Sequence, residues 1–132
     1  IPALIRKVLD AKEQDEPHVD VWGTGAASRE FLFVDDAADG IALAADRYDA
    51  PDPINIGSGR EITIRALAEL ICELCGFEGE LRWDRSKPDG QPRRCLDTTR
   101  ARDRLGFEAK TDLRDGLRQT IDWYIGQRAS SR

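Results

Sequence analysis

The spacing of apolar residues along the chain predicts a series of amphipathic helices. Within residues 3–11, apolar side chains recur every three or four positions, as they do on one face of a helix. The alanine-rich segment after Asp35 predicts a second helix, with Asp35 as its N-cap and an end near Tyr48. Thr63 is expected to cap a third helix, and Gly76 is expected to end it because glycine accepts a left-handed backbone after the last turn.

Two further helices are predicted in the last third of the chain. Asp97 or Thr98 is expected to cap a short helix that ends at Gly106. Thr111 is expected to cap the final helix. The apolar face of that helix is predicted to comprise Leu113, Leu117, Ile121, Tyr124 and Ile125.

Short apolar runs between these helices predict strands. They lie at residues 19–22, 31–34, 54–56 and 80–83. Strands that alternate with helices indicate an α/β fold, with α+β-like character, in one domain of residues 1–132. A long series of strand–helix units that could complete a large parallel sheet is missing from the pattern.

Composition restricts the class of protein. The chain has 132 residues, of which 40% are hydrophobic, so we expect a globular domain with a core. It has no run of about 18 apolar residues, and therefore no membrane span or membrane partner is expected. A net charge of −5 argues against a nucleic-acid interface, which needs a broad basic face. Three cysteines and the lack of a signal-peptide pattern favour the cytoplasm.

One stretch reverses the overall charge balance. The chain has 25 Asp and Glu against 20 Lys and Arg, yet residues 82–104 carry eight basic and four acidic side chains. Guanidinium groups bind phosphate oxygens in a bidentate manner, so this excess favours a discrete anionic ligand. A solvated turn followed by a charged helix face is the alternative.

The other reactive residues have simpler interpretations. His18 follows a proline without neighbouring metal ligands and is expected in a surface loop. Cys72 and Cys75 have too few companions for a zinc site and are expected to pack on the third helix. Asp36 is expected to place favourable negative charge in the first turn of the second helix.

Four short motifs stand in order along the chain. The first three lie at residues 21–25, 29–36 and 54–64, and the fourth is Ser-Lys-Pro-Asp-Gly-Gln-Pro-Arg-Arg-Cys-Leu-Asp at residues 86–97. Together they resemble the GDP-L-fucose synthases, NADPH-dependent GDP-4-keto-6-deoxymannose epimerase/reductases of the extended short-chain dehydrogenase/reductase class. The first three motifs are widespread in that class, whereas the fourth is more specific to the fucose enzymes.

The resemblance implies a particular part of such an enzyme. It matches the C-terminal, substrate-binding part and not the Rossmann domain that holds NADPH, and the chain begins without methionine, so we expect a fragment of a larger protein. Neither Gly23-x-Gly25 nor Gly57-x-Gly59 has the third glycine and the following helix of a dinucleotide fingerprint. Both are predicted to be turns, so no cofactor is expected on this chain.

The catalytic tyrosine is also expected elsewhere. The resembling reductases need a lysine four residues after a tyrosine, because the ammonium group lowers the pKa of the phenol that donates the proton. Tyr48 is followed at that offset by Asp52, and Tyr124 is followed by Arg128. We therefore expect no catalytic residue within residues 1–132.

The resemblance implies a set of contacts to a GDP-sugar. The candidate substrate-binding residues are Lys7, Trp22, Arg29, Asp89, Arg93 and Arg94. Arg29 is expected to reach the pyrophosphate, with Arg93 or Arg94 as a second clamp. Trp22 is expected to stack on the substrate or contact it by its edge. Asp89 is expected to accept hydrogen bonds from the ribose or the base.

Each contact has a plainer alternative. Arg29 could instead pair with Glu30 or Asp35. Trp22 could be a core residue at a strand end, and Lys7 could be a solvated helix residue.

Two other functions also stay open. The parent could be another nucleotide-sugar epimerase or dehydratase that acts on a UDP- or dTDP-sugar, or the chain could be a non-catalytic nucleotide-binding module. The intact enzyme could form a homodimer.

Overall fold

The computed structural model describes residues 1–130. Five helices and five short strands form within that range. The helices are α1 (Pro2–Glu13), α2 (Val34–Arg47), α3 (Ile64–Cys75), α4 (Thr99–Leu105) and α5 (Leu113–Ser130). The strands are β1 (His18–Trp22), β2 (Ser28–Glu30), β3 (Glu61–Thr63), β4 (Glu80–Asp84) and β5 (Arg93–Arg94). The predicted α/β class is confirmed. No described helix combines the length and apolar character that crossing a bilayer requires.

The strands form two small sheets. β1 and β4 pair in parallel, with Val21 opposite Trp83. In the second sheet β2 is central, and it pairs antiparallel with β3 and parallel with β5. Parallel neighbours need a long crossover, so both sheets join segments that are far apart in sequence.

Helices α1, α3 and α5 pack with β1 to form the main core. Ile5 and Val8 of α1 and Ile71 of α3 are almost fully buried, as the predicted apolar stripes require. Burial of each such side chain contributes about 1.5–3 kcal/mol relative to leaving it in water. A second, smaller cluster joins α4 to α2 and is centred on Ala101, Leu105 and Phe107.

Several predicted helix ends are confirmed. The Thr63 hydroxyl accepts a hydrogen bond from the Ala66 amide at 3.1 Å, which caps α3. Gly76 ends α3 with φ of 64°, and Gly106 ends α4 with φ of 69°. Both glycines are therefore in the left-handed region that favours this residue at a helix C-terminus.

The start of α4 involves both predicted candidates. Thr98 occupies the N-cap position but makes no capping bond through its side chain. Instead, Asp97 Oδ1 accepts a hydrogen bond from the Thr99 amide at 2.9 Å.

The predicted N-cap of α2 is wrong. The helix begins at Val34 with Phe33 at the N-cap, so Asp35 lies in the first turn. The Phe33 ring packs against Gly116 of α5, where an added Cβ would lie 3.0 Å from the ring. This tertiary contact sets the start of the helix in place of a side-chain cap.

The predicted start of α5 is displaced by one residue. The helix begins at Leu113, and Asp112 Oδ1 accepts a hydrogen bond from the Arg114 amide at 2.9 Å. The capping carboxylate is therefore that of Asp112 and not the hydroxyl of Thr111. Ile125 is 46% exposed, so its place on the buried face is also wrong.

Two of the four predicted strands do not form. Residues 31–34 follow β2 instead of belonging to it, and residues 54–56 form no ladder. Ile54 and Ile56 pack against the α4 cluster, and Asn55 Nδ2 donates a hydrogen bond to the Asp97 carbonyl at 3.1 Å. Side-chain packing thus holds this segment without strand pairing.

Asp36 has a larger role than the first-turn charge predicted for it. Its side chain is buried, and its two oxygens accept hydrogen bonds from the amides of Lys110 (3.3 Å) and Thr111 (2.9 Å). Burial by itself would raise the pKa of Asp36, but the hydrogen bonds from Thr111 and Lys110 and the nearby Arg60 charge lower it below the ordinary value. The charged carboxylate therefore ties α2 to the segment before α5.

Replacing Asp36 by asparagine is expected to lower the free energy of unfolding by about 1–3 kcal/mol, because one buried amide loses its acceptor. Urea unfolding of the purified protein measures this change. Asp39→Asn removes the same charge from an exposed position on α2 and is the matched control.

The difference between wild type and Asp36→Asn should depend on pH. The pKa of Asp36 is lower in the folded state, so its stabilisation is present above the ordinary carboxyl pKa and is lost as the pH falls through the folded value. Equal effects of the Asp36 and Asp39 substitutions would contradict this account.

Candidate functional site

A loop from β4 to β5 lies against the turn that follows β1. We call residues 85–92 the proline loop and residues 23–25 the glycine turn. Asp89 joins them, because Oδ1 accepts a hydrogen bond from the Thr24 amide at 2.6 Å and Oδ2 accepts one from the Thr24 hydroxyl at 2.7 Å. The Thr24 hydroxyl, and then its amide, lower the pKa of Asp89. Both carboxylate oxygens of Asp89, a predicted substrate-binding residue, therefore contact the protein itself.

The glycine turn is tightly packed against Trp83 and Arg65. Gly25 has φ of 78°, and an added Cβ would lie 2.6 Å from the Trp83 ring. Arg65 stacks over that ring at 4.5 Å from its centroid and donates a hydrogen bond to the Thr24 carbonyl at 2.7 Å. Trp83 and Arg65 thus support the site, and neither was identified from the sequence.

Trp22 presents an exposed aromatic surface beside this turn. Its side chain is 67% exposed, so the alternative of a core residue is wrong. Lys87 of the proline loop lies over the ring, with Nζ 5.6 Å from the centroid. The pair offers a flat apolar face and a positive charge together.

Arg29 and Arg94 lie side by side. They are register partners in the parallel pairing of β2 with β5, and both line one hollow of about 220 Å³. The remaining lining residues are Glu30, Leu32, Ile56, Gly57, Cys95 and Leu96. The hollow is thus bordered by two arginines, a residue type whose guanidinium group forms strong hydrogen bonds to anionic groups.

The guanidinium of Arg29 is bound to a backbone carbonyl. Its Nη1 donates a hydrogen bond to the Ser28 carbonyl at 2.6 Å. Among the described residues it makes no salt bridge with Glu30 or Asp35, the two partners considered from the sequence.

Arg93 is directed elsewhere. Successive residues of a strand point to opposite faces, so Arg93 and Arg94 cannot share one. Arg93 pairs in register with Ser28, and its Nε and Nη2 both donate to Glu61 Oε1. The hydrogen bonds between them raise the pKa of Arg93 and lower that of Glu61. Of the two adjacent arginines, the hollow receives Arg94.

Lys7 is attached to the first sheet. Its Nζ donates a hydrogen bond to the Asp20 carbonyl of β1 at 3.1 Å. Lys7 therefore lies beside the strand that ends at Trp22, and it is not among the residues that line the hollow.

Glu30 is the principal residue of this region that sequence reasoning missed. Its Oε1 accepts hydrogen bonds from the amides of Ser58 and Gly59, and its Oε2 accepts one from the Leu96 amide at 2.6 Å. Burial would raise the pKa of Glu30, but these bonds, led by that of Leu96, lower it below the ordinary value. The Glu30 carboxylate thus binds both the 57–59 turn and the segment after β5, and each of these segments borders the hollow.

The two glycine pairs do not begin a dinucleotide-binding helix. Residues 23–25 precede β2, and residues 57–59 precede β3, so neither pair of glycines opens a helix that could receive a dinucleotide pyrophosphate. Within residues 1–130, no three His, Cys, Asp or Glu side chains are grouped as a metal site would require.

The two cysteines of α3 are core residues. Cys72 and Cys75 are both buried, and burial raises the pKa of Cys75 to about 11. This thiol therefore stays protonated near neutral pH, which is unfavourable for redox chemistry.

Comparison with known proteins gives consistent matches. Residues 1–57 match the model of the NAD dependent epimerase/dehydratase family. The chain is 52% identical to GDP-L-fucose synthase 1 of Arabidopsis thaliana over 95% of its own length, which is 38% of the length of that relative. The chain thus spans about two fifths of this protein.

Solved structures have the same fold. GDP-mannoheptose C4 reductase of Campylobacter jejuni, solved with NADP bound, is 32% identical and superposes with a TM-score of 0.82 over 94% of this chain and 44% of that one. A GDP-L-fucose synthetase of Naegleria fowleri superposes with a TM-score of 0.89 over 97% of this chain and 39% of that one, at 24% identity.

Replacing Asp89 by asparagine is expected to release the proline loop from the glycine turn, because one of the two Thr24 donors then faces an amide NH₂ group. Hydrogen exchange at the Thr24 amide should become faster. Glu80→Asn is the control, since Glu80 is an exposed carboxylate on β4 whose partner is Arg82. An unchanged exchange rate in Asp89→Asn would contradict the clamping role.

Proposed function

We propose that the chain belongs to the extended short-chain dehydrogenase/reductase family and is the substrate-binding segment of an NADPH-dependent enzyme that makes GDP-L-fucose. In this proposal the intact enzyme epimerises GDP-4-keto-6-deoxymannose and reduces its 4-keto group. The high identity to a GDP-L-fucose synthase along nearly the whole chain supports this choice.

The observation that carries the proposal is the shared hollow of Arg29 and Arg94. A nucleoside diphosphate sugar has two adjacent phosphates, and guanidinium groups form strong charge-assisted hydrogen bonds to such oxygens. The pairing of β2 with β5 places the backbones of these two arginines opposite each other. A pyrophosphate is the ligand whose charge and size suit this arrangement.

The other predicted contacts fit around this anchor. The exposed ring of Trp22 offers a surface for an edge or stacking contact, and Lys87 adds positive charge beside it. Lys7 is proposed as a further substrate contact near β1. Asp89 retains free lone pairs for a ribose or base donor while it binds Thr24. Arg93 is bound to Glu61 and is not part of this anchor.

The reaction chemistry is proposed to come from the rest of the intact protein. NADPH supplies the hydride when it is bound, and its binding site and the acid and base groups would lie outside this chain. Residues 1–130 would hold the nucleotide so that the hexose meets those groups in a reactive orientation.

A reductase of another GDP-sugar is the second candidate. It is favoured by the similarity to GDP-mannoheptose C4 reductase, whose name shares the nucleotide but not the sugar. A UDP-sugar enzyme stays an alternative, because a UDP-glucose 4-epimerase of Thermotoga maritima is 28% identical and superposes with a TM-score of 0.80. The 52% identity to a GDP-L-fucose synthase favours a GDP-sugar.

Replacing Arg29 or Arg94 by alanine in the intact protein is expected to weaken GDP binding by roughly ten- to a hundredfold, since hydrogen bonds to charged groups contribute about 1.5–3 kcal/mol. Calorimetric titration with GDP and UDP measures the effect. Arg102→Ala removes the same charge from a position paired with Asp103 and serves as the control. Tighter binding of UDP than of GDP would overturn the choice of nucleotide.

The purified 132-residue chain is expected to support no ketosugar-dependent oxidation of NADPH. The intact protein is expected to support it. Absorbance of NADPH at fixed ketosugar concentration distinguishes the two, and any rate above buffer for the isolated chain would place catalytic groups within it.

A further inference from the structure

We propose that Glu30 is a positioning residue that holds Arg94 beside Arg29 at the hollow. The role rests on the proposed function, in which those two arginines bind the diphosphate. Glu30 follows Arg29 directly on β2, and its carboxylate reaches the chain just beyond Arg94.

The strand that carries Arg94 is weakly fixed by its backbone. β5 has only two residues and pairs with β2 alone. One further backbone bond, from the Ser28 amide to the Pro92 carbonyl at 2.9 Å, lies before the strand. Beyond it, the Leu96 amide donates to Glu30 Oε2 at 2.6 Å. Glu30 therefore holds the chain just after β5, where the strand pairing has ended.

The same carboxylate also fixes the opposite wall of the hollow. Glu30 Oε1 accepts hydrogen bonds from the Ser58 and Gly59 amides, and Gly57 lines the hollow. A Cβ on Gly57 would collide with Glu30 Oε1. The glycine thus provides the room in which the carboxylate joins β2, the 57–59 turn and the end of β5.

The negative charge of Glu30, taken alone, would weaken the binding of an anion in the hollow. A carboxylate beside a phosphate-binding hollow repels the ligand, and the hydrogen bonds that lower the pKa of Glu30 keep it charged. Its removal should therefore strengthen anion binding if charge were its only effect. The positioning role predicts the opposite, namely that removal of the Glu30 carboxylate weakens anion binding.

The test compares GDP with GMP on the intact protein by calorimetric titration. GMP offers one phosphate and can use one guanidinium, whereas GDP can bridge both. In Glu30→Gln an amide NH₂ group replaces one accepting oxygen and faces a backbone donor. We expect GDP to bind roughly tenfold more weakly and the preference for GDP over GMP to fall towards one.

Glu61→Gln is the matched control. It removes the same charge from β3, on the partner of Arg93, and leaves both arginines of the hollow in place. Its preference for GDP over GMP is expected to be no lower than that of the wild type. If Glu30→Gln does not fold, Glu30→Asp keeps the charge but shortens the side chain, and the same loss of preference is expected.

The outcomes separate the two proposals. A preference for GDP that persists in the folded Glu30 variant, or GDP binding that tightens as charge removal alone would require, overturns the positioning role only. A wild-type protein that does not bind GDP overturns the proposed function and this role together.

Discussion

Carboxylates that accept hydrogen bonds from backbone amides hold the non-helical half of this protein together. Glu30, Asp36 and Asp89 each bind amides from a segment far away in sequence. The two sheets have strands of two to five residues, which give few ladder bonds to fix the turns between them. A charged acceptor that receives two or three hydrogen bonds replaces the missing ladder, and the lowered pKa values of all three residues reflect the same bonds.

The helices were predictable because their determinants are local. The apolar stripe of α3, the Thr63 cap and the glycine after its last turn all lie within fourteen consecutive positions and agree with one another. The start of α2 was mispredicted because a distant contact decides it, the packing of Phe33 on Gly116. Asp35 satisfies the local rule for an N-cap, but the adjacent Asp36 makes the long-range bonds.

The candidate site was only partly predictable for the same reason. Its arginines could be chosen from composition and motif. Neighbours on a strand face opposite ways, so only one of Arg93 and Arg94 can face the hollow, and the sequence does not show which one. The register of β5 against β2 makes that choice, and a two-residue strand of two arginines has no hydrophobic alternation from which to infer it. Glu30 was considered only as an ion-pair partner of Arg29, whereas its observed partners are backbone amides that no sequence pattern marks.

The contact between Asp89 and Thr24 has a kinetic consequence. These residues are 65 positions apart, so the chain must close a long loop before their hydrogen bonds can form. Helix α3, which lies between them, can form from neighbouring residues alone. We therefore expect the contact between the proline loop and the glycine turn to form late in folding, after helix α3.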